Sequence, residues 1–115
     1  MRKVNGPTAL NERTLESVCV LNAVLSTMSR RWKMQILFFV HHGSTSFSAL
    51  KALLPGISDQ VLDVRLGELV SEGLLEKYED AAHRPAYRST SSASSLLALM
   101  QGLCDWGKCN LQPRA

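Results

Sequence analysis

The chain has 115 residues, a length that fits one domain with one hydrophobic core. Its apolar content of 45% is typical of a globular protein, and no apolar run approaches the ~20 residues that span a bilayer. The first residues lack the apolar segment of a signal peptide, so we expect a soluble, cytoplasmic protein without a membrane partner. The net charge of +3 permits a polyanionic partner, and three cysteines without a C-x-x-C pair argue against a disulfide framework.

Three helices are predicted in the first half of the chain. From Asn11 to Met28, apolar residues recur at spacings of three and four, which is the period of one helical face. A second helix is expected from Trp32 to about His41, and a third, shorter one from Phe47 to Leu54. The Pro55-Gly56 pair stops the third helix and places a tight turn before the next element.

The fourth helix is the most informative element, because both its ends and both its faces can be predicted. Ser58 is a suitable N-cap, and Gly73 supplies the left-handed residue that commonly follows a helix. The stripe expected to face the core is Leu62, Leu66 and Leu69. The opposite face carries small and polar residues, namely Gln60, Val64, Gly67 and Ser71. Such a helix suits insertion into a groove, so nucleic-acid recognition is the function to consider first.

A strand pair and a last helix complete the chain. The alternation from Leu74 to Glu79 predicts a half-buried strand, and Ala86–Thr90 is expected to return beside it as a hairpin. The serines of residues 91–95 suit a helix start. An apolar stripe from Leu96 to Trp106 then predicts a helix that ends at Gly107.

This order of elements, with a tight turn between the third and fourth helices, is typical of a winged helix-turn-helix. The expected fold class is mainly α (α+β), with additional N- and C-terminal helices. No internal repeat or interdomain linker is visible. We therefore expect a mobile arm at residues 1–10, one domain at residues 11–110 and a short tail at residues 111–115.

Four stretches of the chain carry motifs of a known family, in the family's order. They are Cys19 placed 13 residues before Trp32 of Arg31-Trp32-Lys33, Phe47-Ser48-Ala49-Leu50 before Leu54-Pro55-Gly56-Ile57-Ser58, the leucines of the fourth helix before Gly73-Leu74, and Tyr87-Arg88-Ser89-Thr90 with Leu103-Cys104-Asp105-Trp106-Gly107. On these motifs, residues 19–107 resemble the HxlR family of bacterial transcriptional regulators. The resemblance implies a protein that binds double-stranded DNA and regulates transcription.

The chain departs from the family pattern at several positions. Val20 follows Cys19 where the family typically has proline, and Ser29-Arg30 replaces a pair of glycines. On the recognition helix, Asp63, Val64 and Gly67 stand where relatives usually have polar or basic side chains. Base contacts known for relatives are therefore not carried over to those three positions.

Two kinds of DNA contact are expected, since cations neutralise phosphates and side chains at base edges determine sequence preference. The predicted phosphate contacts are the basic residues Arg30, Arg31, Lys33, Lys51, His83, Arg84 and Arg88. The candidates on the fourth helix are Ser58, Gln60, Asp63, Val64 and Arg65. Gln60 and Arg65 are candidate base or phosphate contacts, since both can donate hydrogen bonds in the major groove, and Val64 can touch a thymine methyl group. Asp63 either complements the helix dipole or accepts from a cytosine amino group.

Cys19 is the candidate regulatory residue. In several relatives the equivalent cysteine senses oxidants or electrophiles, so the resemblance implies a redox switch with a small electrophile or oxidant as effector. Such reactivity requires a lowered thiol pKa. The alternative is a small buried apolar side chain on the first helix. Cys104 is expected in the core, and Cys109 is expected to be exposed and is the other candidate thiol.

The first and last helices carry more apolar surface than packing on one side requires, which predicts a homodimer interface. The expected contacts are Leu21, Val24, Leu25, Leu99, Met100, Leu103 and Trp106. A two-fold dimer places its two recognition helices in successive major grooves of a pseudo-palindromic operator, with half-sites ~34 Å apart or a multiple of that spacing.

Other functional classes have little support in the sequence. The histidines and cysteines form no pair with metal-ligand spacing, and no phosphate loop or nucleophile motif indicates an enzyme. We expect no metal and no cofactor. The alternative to a DNA-binding regulator is a winged-helix protein-interaction module without DNA binding, which the acidic recognition helix and Gly67 favour.

Overall fold

The computed structural model describes the backbone of residues 8–111 and the side chains from Glu12 onward. The elements are α1 Thr8–Met28, α2 Lys33–His41, α3 Phe47–Leu53, α4 Asp59–Ser71, β1 Leu75–Glu79, β2 Pro85–Ser89 and α5 Ser91–Asn110. The chain divides between Arg31 and Trp32 into two compact units, so that α1 belongs to the first and all other elements to the second. The predicted winged helix-turn-helix is thus confirmed.

The first unit consists mainly of α1. This helix begins at Thr8, three residues earlier than expected, whereas residues 1–7 of the predicted arm and residues 112–115 of the predicted tail lie outside the described part of the chain. Apolar side chains along α1, including Leu15, Leu21 and Leu25, are exposed. No helix in the described residues is long and apolar enough to cross a membrane.

The core of the second unit lies between the helices and the hairpin. Its buried apolar side chains include Ile36, Leu37, Val40, Leu50, Leu54, Ile57, Leu62, Leu66, Leu69, Leu75, Tyr87 and Ala93. The stripe predicted on α4 is confirmed, because Leu62, Leu66 and Leu69 are completely buried. Burying one such side chain contributes about 1.5–3 kcal/mol. This stripe fixes which face of α4 remains for solvent.

Hydroxyl caps define where α3, α4 and α5 begin, whereas α2 has no side-chain cap. The Oγ atoms of Ser46 and Ser58 accept hydrogen bonds from Ala49 N and Val61 N, each at 3.1 Å. Thr90 caps α5 in the same way, at 3.2 Å from Ala93 N. After α4, Gly73 has a φ of 77°, the left-handed conformation that was predicted there.

The hairpin is antiparallel, with Leu75 opposite Ser89 and Glu79 opposite Pro85. In its turn, Asp80 Oδ1 accepts from Ala82 N at 2.8 Å and from Arg84 N at 2.9 Å. The backbone N–H of Arg84 is the main reason that the pKa of Asp80 is lowered, because a hydrogen bond to a carboxylate favours its charged form. The base of the hairpin is also held by Tyr87 N, which donates to Thr45 O at 2.9 Å.

Two expectations for the last helix are wrong. Helix α5 passes through Gly107 and continues to Asn110, because a single glycine costs only about 1 kcal/mol in a helix interior. Cys104 is exposed rather than in the core. In the described part of α5, Ala93 is the buried residue, so the helix packs on the core through its first turns.

We predict that Ser58→Ala lowers the free energy of unfolding by about 1 kcal/mol, because Val61 N loses its side-chain acceptor. Urea denaturation followed by circular dichroism measures the change. Ser71→Ala, at the exposed end of the same helix, is the control and is expected to change the stability little. Equal effects of the two substitutions would contradict the capping role.

Candidate nucleic-acid interface

The face of α4 opposite its buried leucines is exposed to solvent. The core stripe turns Gln60, Asp63, Val64 and Gly67 to solvent, and Val64 is 47% exposed. A Cβ placed on Gly67 meets no atom within 4 Å, so no neighbour within the described chain requires glycine there. The face is narrow, small and uncharged except for Asp63, which suits close approach to another molecule.

The turn between α3 and α4 is held by a lysine. Lys51 Nζ donates to Ile57 O at 2.6 Å and lies 2.9 Å from Asp59 Oδ1. Asp59 lies in the first turn of α4, where a carboxylate also complements the helix dipole. Lys51 was predicted as a phosphate contact, and its ammonium already has an internal role in the helix-turn-helix.

Lys33 is buried, so its predicted phosphate contact is wrong. Its side chain is 1% exposed, and Nζ donates to Glu72 Oε2 at 2.7 Å. A second carboxylate oxygen, Glu68 Oε1, is 3.8 Å away. A buried ammonium is stable only with such partners, because burial removes its hydration. Lys33 therefore joins the start of α2 to the C-terminal half of α4.

Arg65, predicted as a base or phosphate contact, does not share the exposed face of α4 with Gln60. It lies about 140° around the helix from Gln60, since successive residues turn by about 100°. Its side chain is 18% exposed, and Nη1 is 3.3 Å from both carboxylate oxygens of Glu68. The guanidinium thus shares Glu68 with Lys33 and lies away from the exposed face of α4.

Most charged side chains of the hairpin lie in pairs. Arg88 Nε is 3.2 Å from Glu76 Oε1 and its guanidinium lies 4.4 Å from the centre of the Tyr78 ring. Arg84 Nε lies 3.4 Å from Asp80 Oδ2, and His83 Nδ1 lies 3.6 Å from Glu79 Oε1. Exposed pairs of this kind contribute about 0–1 kcal/mol, so a phosphate can replace the carboxylate at little cost.

The positive charge of the chain is concentrated before the second unit. Residues 32–115 contain eight basic and eight acidic side chains and carry no net charge. Residues 1–31 contain five basic and two acidic side chains, which accounts for the whole excess of three. Arg30 and Arg31, both predicted as phosphate contacts, belong to this group and are exposed.

Comparison with known proteins agrees with this geometry. The model of the HxlR-like helix-turn-helix family matches residues 27–115. The chain belongs to this family.

HxlR-like relatives include a transcriptional regulator of Methanothermobacter thermautotrophicus, which is 30% identical over 95 residues that cover 81% of this chain and 72% of the relative. YkvN of Bacillus subtilis, also an HTH-type transcriptional regulator, is 31% identical over 91 residues, covering 77% of each chain. The reduced form of YodB from B. subtilis has a similar fold, with a TM-score of 0.74 and 23% identity over 82% of this chain and 94% of YodB. The family consists of transcriptional regulators that bind DNA through the helix-turn-helix.

The three cysteines of this HxlR-like chain are all accessible to solvent. Cys19, Cys104 and Cys109 are all free and exposed, so the alternative of a buried, inert Cys19 is wrong. Cys104 lines a groove of about 300 Å³ between α2 and α5, together with Phe38, His42 and Met100. An accessible thiol can be oxidised, although accessibility alone does not make it reactive.

The apolar residues predicted at a dimer interface are found on exposed faces of two helices. Leu21, Val24 and Leu25 are exposed on α1, and Leu99, Leu103 and Trp106 are exposed on α5. Met100 is half-buried. Phe38 was not among the predicted contacts, although it is 44% exposed on α2; its ring lies tilted against that of His42, with ring centres 4.3 Å apart.

We predict that Lys33→Met lowers the free energy of unfolding by about 1–3 kcal/mol, because Glu72 loses its charged hydrogen-bond partner. The salt dependence of DNA binding by the folded variant is expected to equal that of the wild type, since Lys33 contacts no phosphate. Urea denaturation and fluorescence anisotropy measure the two effects. An unchanged stability with a shallower salt dependence would return Lys33 to the DNA-facing surface.

Proposed function

We propose that the protein is a sequence-specific transcriptional regulator that binds duplex DNA as a homodimer, with the exposed face of α4 in the major groove. The observation that carries the proposal is the division of α4 into a fully buried leucine stripe and an exposed face of small and polar side chains. A helix held rigidly on one side and lined by small groups on the other can approach base edges closely.

The exposed face of α4 offers three different contacts with bases. The Gln60 amide can pair with the edge of adenine, and the Val64 methyl groups can touch the methyl group of thymine. The Asp63 carboxylate can accept from the amino group of cytosine, and it repels phosphate. At Gly67 the absent side chain leaves room for the DNA itself.

The distribution of charge supports a mode of DNA binding in which few basic side chains contact phosphates. Residues 32–115 carry no net charge, so the second unit contributes little long-range attraction for DNA. We propose that Arg30 and Arg31, which are exposed immediately before α2 in the chain, supply phosphate contacts. The exposed pairs of Arg84 and Arg88 can open when a phosphate replaces the carboxylate.

The homodimer is supported by the apolar surfaces of α1 and α5. Exposed apolar patches of this kind mark interaction sites, because a monomer gains from removing them from water. A two-fold dimer that buries them would present two copies of α4 to half-sites ~34 Å apart, or a multiple of that distance.

Regulation through Cys19 is the second part of the proposal. The thiol is exposed on α1, one of the two helices assigned to the dimer. Oxidation to a sulfenic acid or a disulfide would place a polar or crosslinked group between subunits and change the separation of the recognition helices. YodB has been solved in diamide-treated and quinone-bound forms with TM-scores of 0.67 and 0.66 to this chain, so oxidants and quinones are the effectors to test first.

A protein-interaction module without DNA binding is the other candidate function. The zero net charge of residues 32–115 and the ion pairs along the hairpin favour it. Salt separates the two functions, because phosphate contacts make the affinity fall steeply with ionic strength, whereas a packed protein interface is less sensitive.

We predict that Gly67→Ala raises the free energy of unfolding by about 1 kcal/mol and weakens binding to a duplex selected from random sequences. The stability rises because alanine is the better helix former, and among the described residues its Cβ meets no atom outside the adjacent helix backbone within 4 Å. The affinity falls because the methyl group occupies space that DNA needs.

The matched control is Gly102→Ala, a helical glycine of α5 that also has open space around it. It is expected to gain stability without losing DNA affinity, and sedimentation checks that its oligomeric state is unchanged. Unaltered binding by Gly67→Ala would place DNA elsewhere.

For regulation, we expect mild peroxide or quinone treatment to change the DNA affinity of the wild type and to leave Cys19→Ser unaffected. Fluorescence anisotropy before and after treatment measures the difference. An equal response of both proteins would exclude Cys19 and direct attention to Cys104 and Cys109, which are also exposed.

A further inference from the structure

A cleft of about 420 Å³ lies between the N-terminus of α3, the face of α4 and the hairpin. Ser48, Asp63, Lys77, Arg84 and Tyr87 are among the residues that line it. A duplex that places α4 in its major groove would run beside this cleft, because Asp63 lies both in the cleft and on the exposed face of α4.

The two faces of the hairpin differ in how their charges are satisfied. Lys77 lies directly opposite Tyr87 and shares a face with buried Leu75, since alternate residues of a strand point the same way. Its ammonium lies 6.0 Å from the centre of the Tyr87 ring. On the opposite face, Arg88 is paired with Glu76. Lys77 therefore extends from the core side of the hairpin into the cleft, and its stem packs near an aromatic ring.

Within the part of the chain that the structure describes, Lys77 also differs from its basic neighbours because it has no acidic partner. Among the described basic residues of α3, α4 and the hairpin, the others each lie within 4 Å of a carboxylate, namely Lys51, Arg65, His83, Arg84 and Arg88. No ion pair of Lys77 is present within the described residues 12–111 at that distance. A phosphate gains most from such an ammonium, because no internal pair has to be broken.

We propose that a phosphodiester group of the DNA backbone binds in this cleft, with Lys77 as its principal cation. Arg84 lines the same wall and can exchange Asp80 for phosphate, and the exposed Ser48 can donate a hydroxyl hydrogen bond. The Asp63 carboxylate keeps the phosphate on the hairpin side and remains available to a base amino group. This inference rests on the proposed DNA-binding function and assigns one contact within it.

The test is the salt dependence of binding by Lys77→Ala, measured by fluorescence anisotropy from about 50 to 200 mM salt. Two probes are used, a duplex selected from random sequences and a duplex of unrelated sequence. Loss of one phosphate contact is expected to make the negative slope of log K against log salt shallower by about 0.9 on both duplexes. Binding is expected to be several-fold weaker. Lys77→Arg is expected to restore the slope.

The control is Lys108→Ala, which removes an exposed cation from the last turn of α5 and is expected to leave the slope unchanged. A wild-type slope in Lys77→Ala, or an equal decrease in Lys108→Ala, overturns the phosphate site while DNA binding itself stands. If the wild type binds neither duplex, the proposed function fails and this inference fails with it.

Discussion

The ion pair of the buried Lys33 with Glu72 and Glu68 connects α2 to α4, the helix of the proposed DNA contacts. Lys33 starts α2 and is surrounded by the core, while Glu68 lies on the C-terminal half of α4 and Glu72 is its C-cap residue. The leucine stripe determines which face of α4 is buried, and the ion pair adds a directional contact between its far end and α2. Because Arg65 shares Glu68, the same network holds a guanidinium away from the exposed face. The exposed face of α4 therefore consists of small and neutral groups beside Asp63.

In the proposed complex, different residues provide the sequence specificity and the electrostatic part of the affinity for DNA. The base contacts of this proposed complex come from the exposed face of α4. Most described cations near this face have carboxylate partners, and residues 32–115 carry no net charge. Exposed ion pairs contribute about 0–1 kcal/mol, so they suppress non-specific attraction without preventing phosphate contacts when the duplex is correctly placed. In the proposed dimer, specificity comes from the fit of two copies of α4 to the DNA rather than from a strongly positive surface. The excess of basic residues in 1–31 is the proposed source of the remaining attraction.

The predictions from sequence succeeded where the determining signals are local. The Ser58 cap, the Leu62–Leu69 stripe and the left-handed Gly73 are encoded within one helix and its neighbours, and all three are confirmed. The errors concern partners distant in the chain. Nothing near Lys33 in the sequence indicates that it will be buried and paired with a carboxylate 39 residues later. The exposure of Cys104 depends on how far α5 extends beyond the core. Lys77 could have been identified from strand alternation, which places it on the face of Leu75.

Selection of binding sites from random duplex DNA, followed by footprinting of the enriched sequence, tests the central claim most directly. The claim is that α4 reads DNA in a two-fold homodimer. The account predicts an enriched pseudo-palindrome whose half-sites are protected and are separated by ~34 Å or a multiple of it. Absence of any enriched sequence, or protection of a single unsymmetrical site by one copy of the chain, would contradict it.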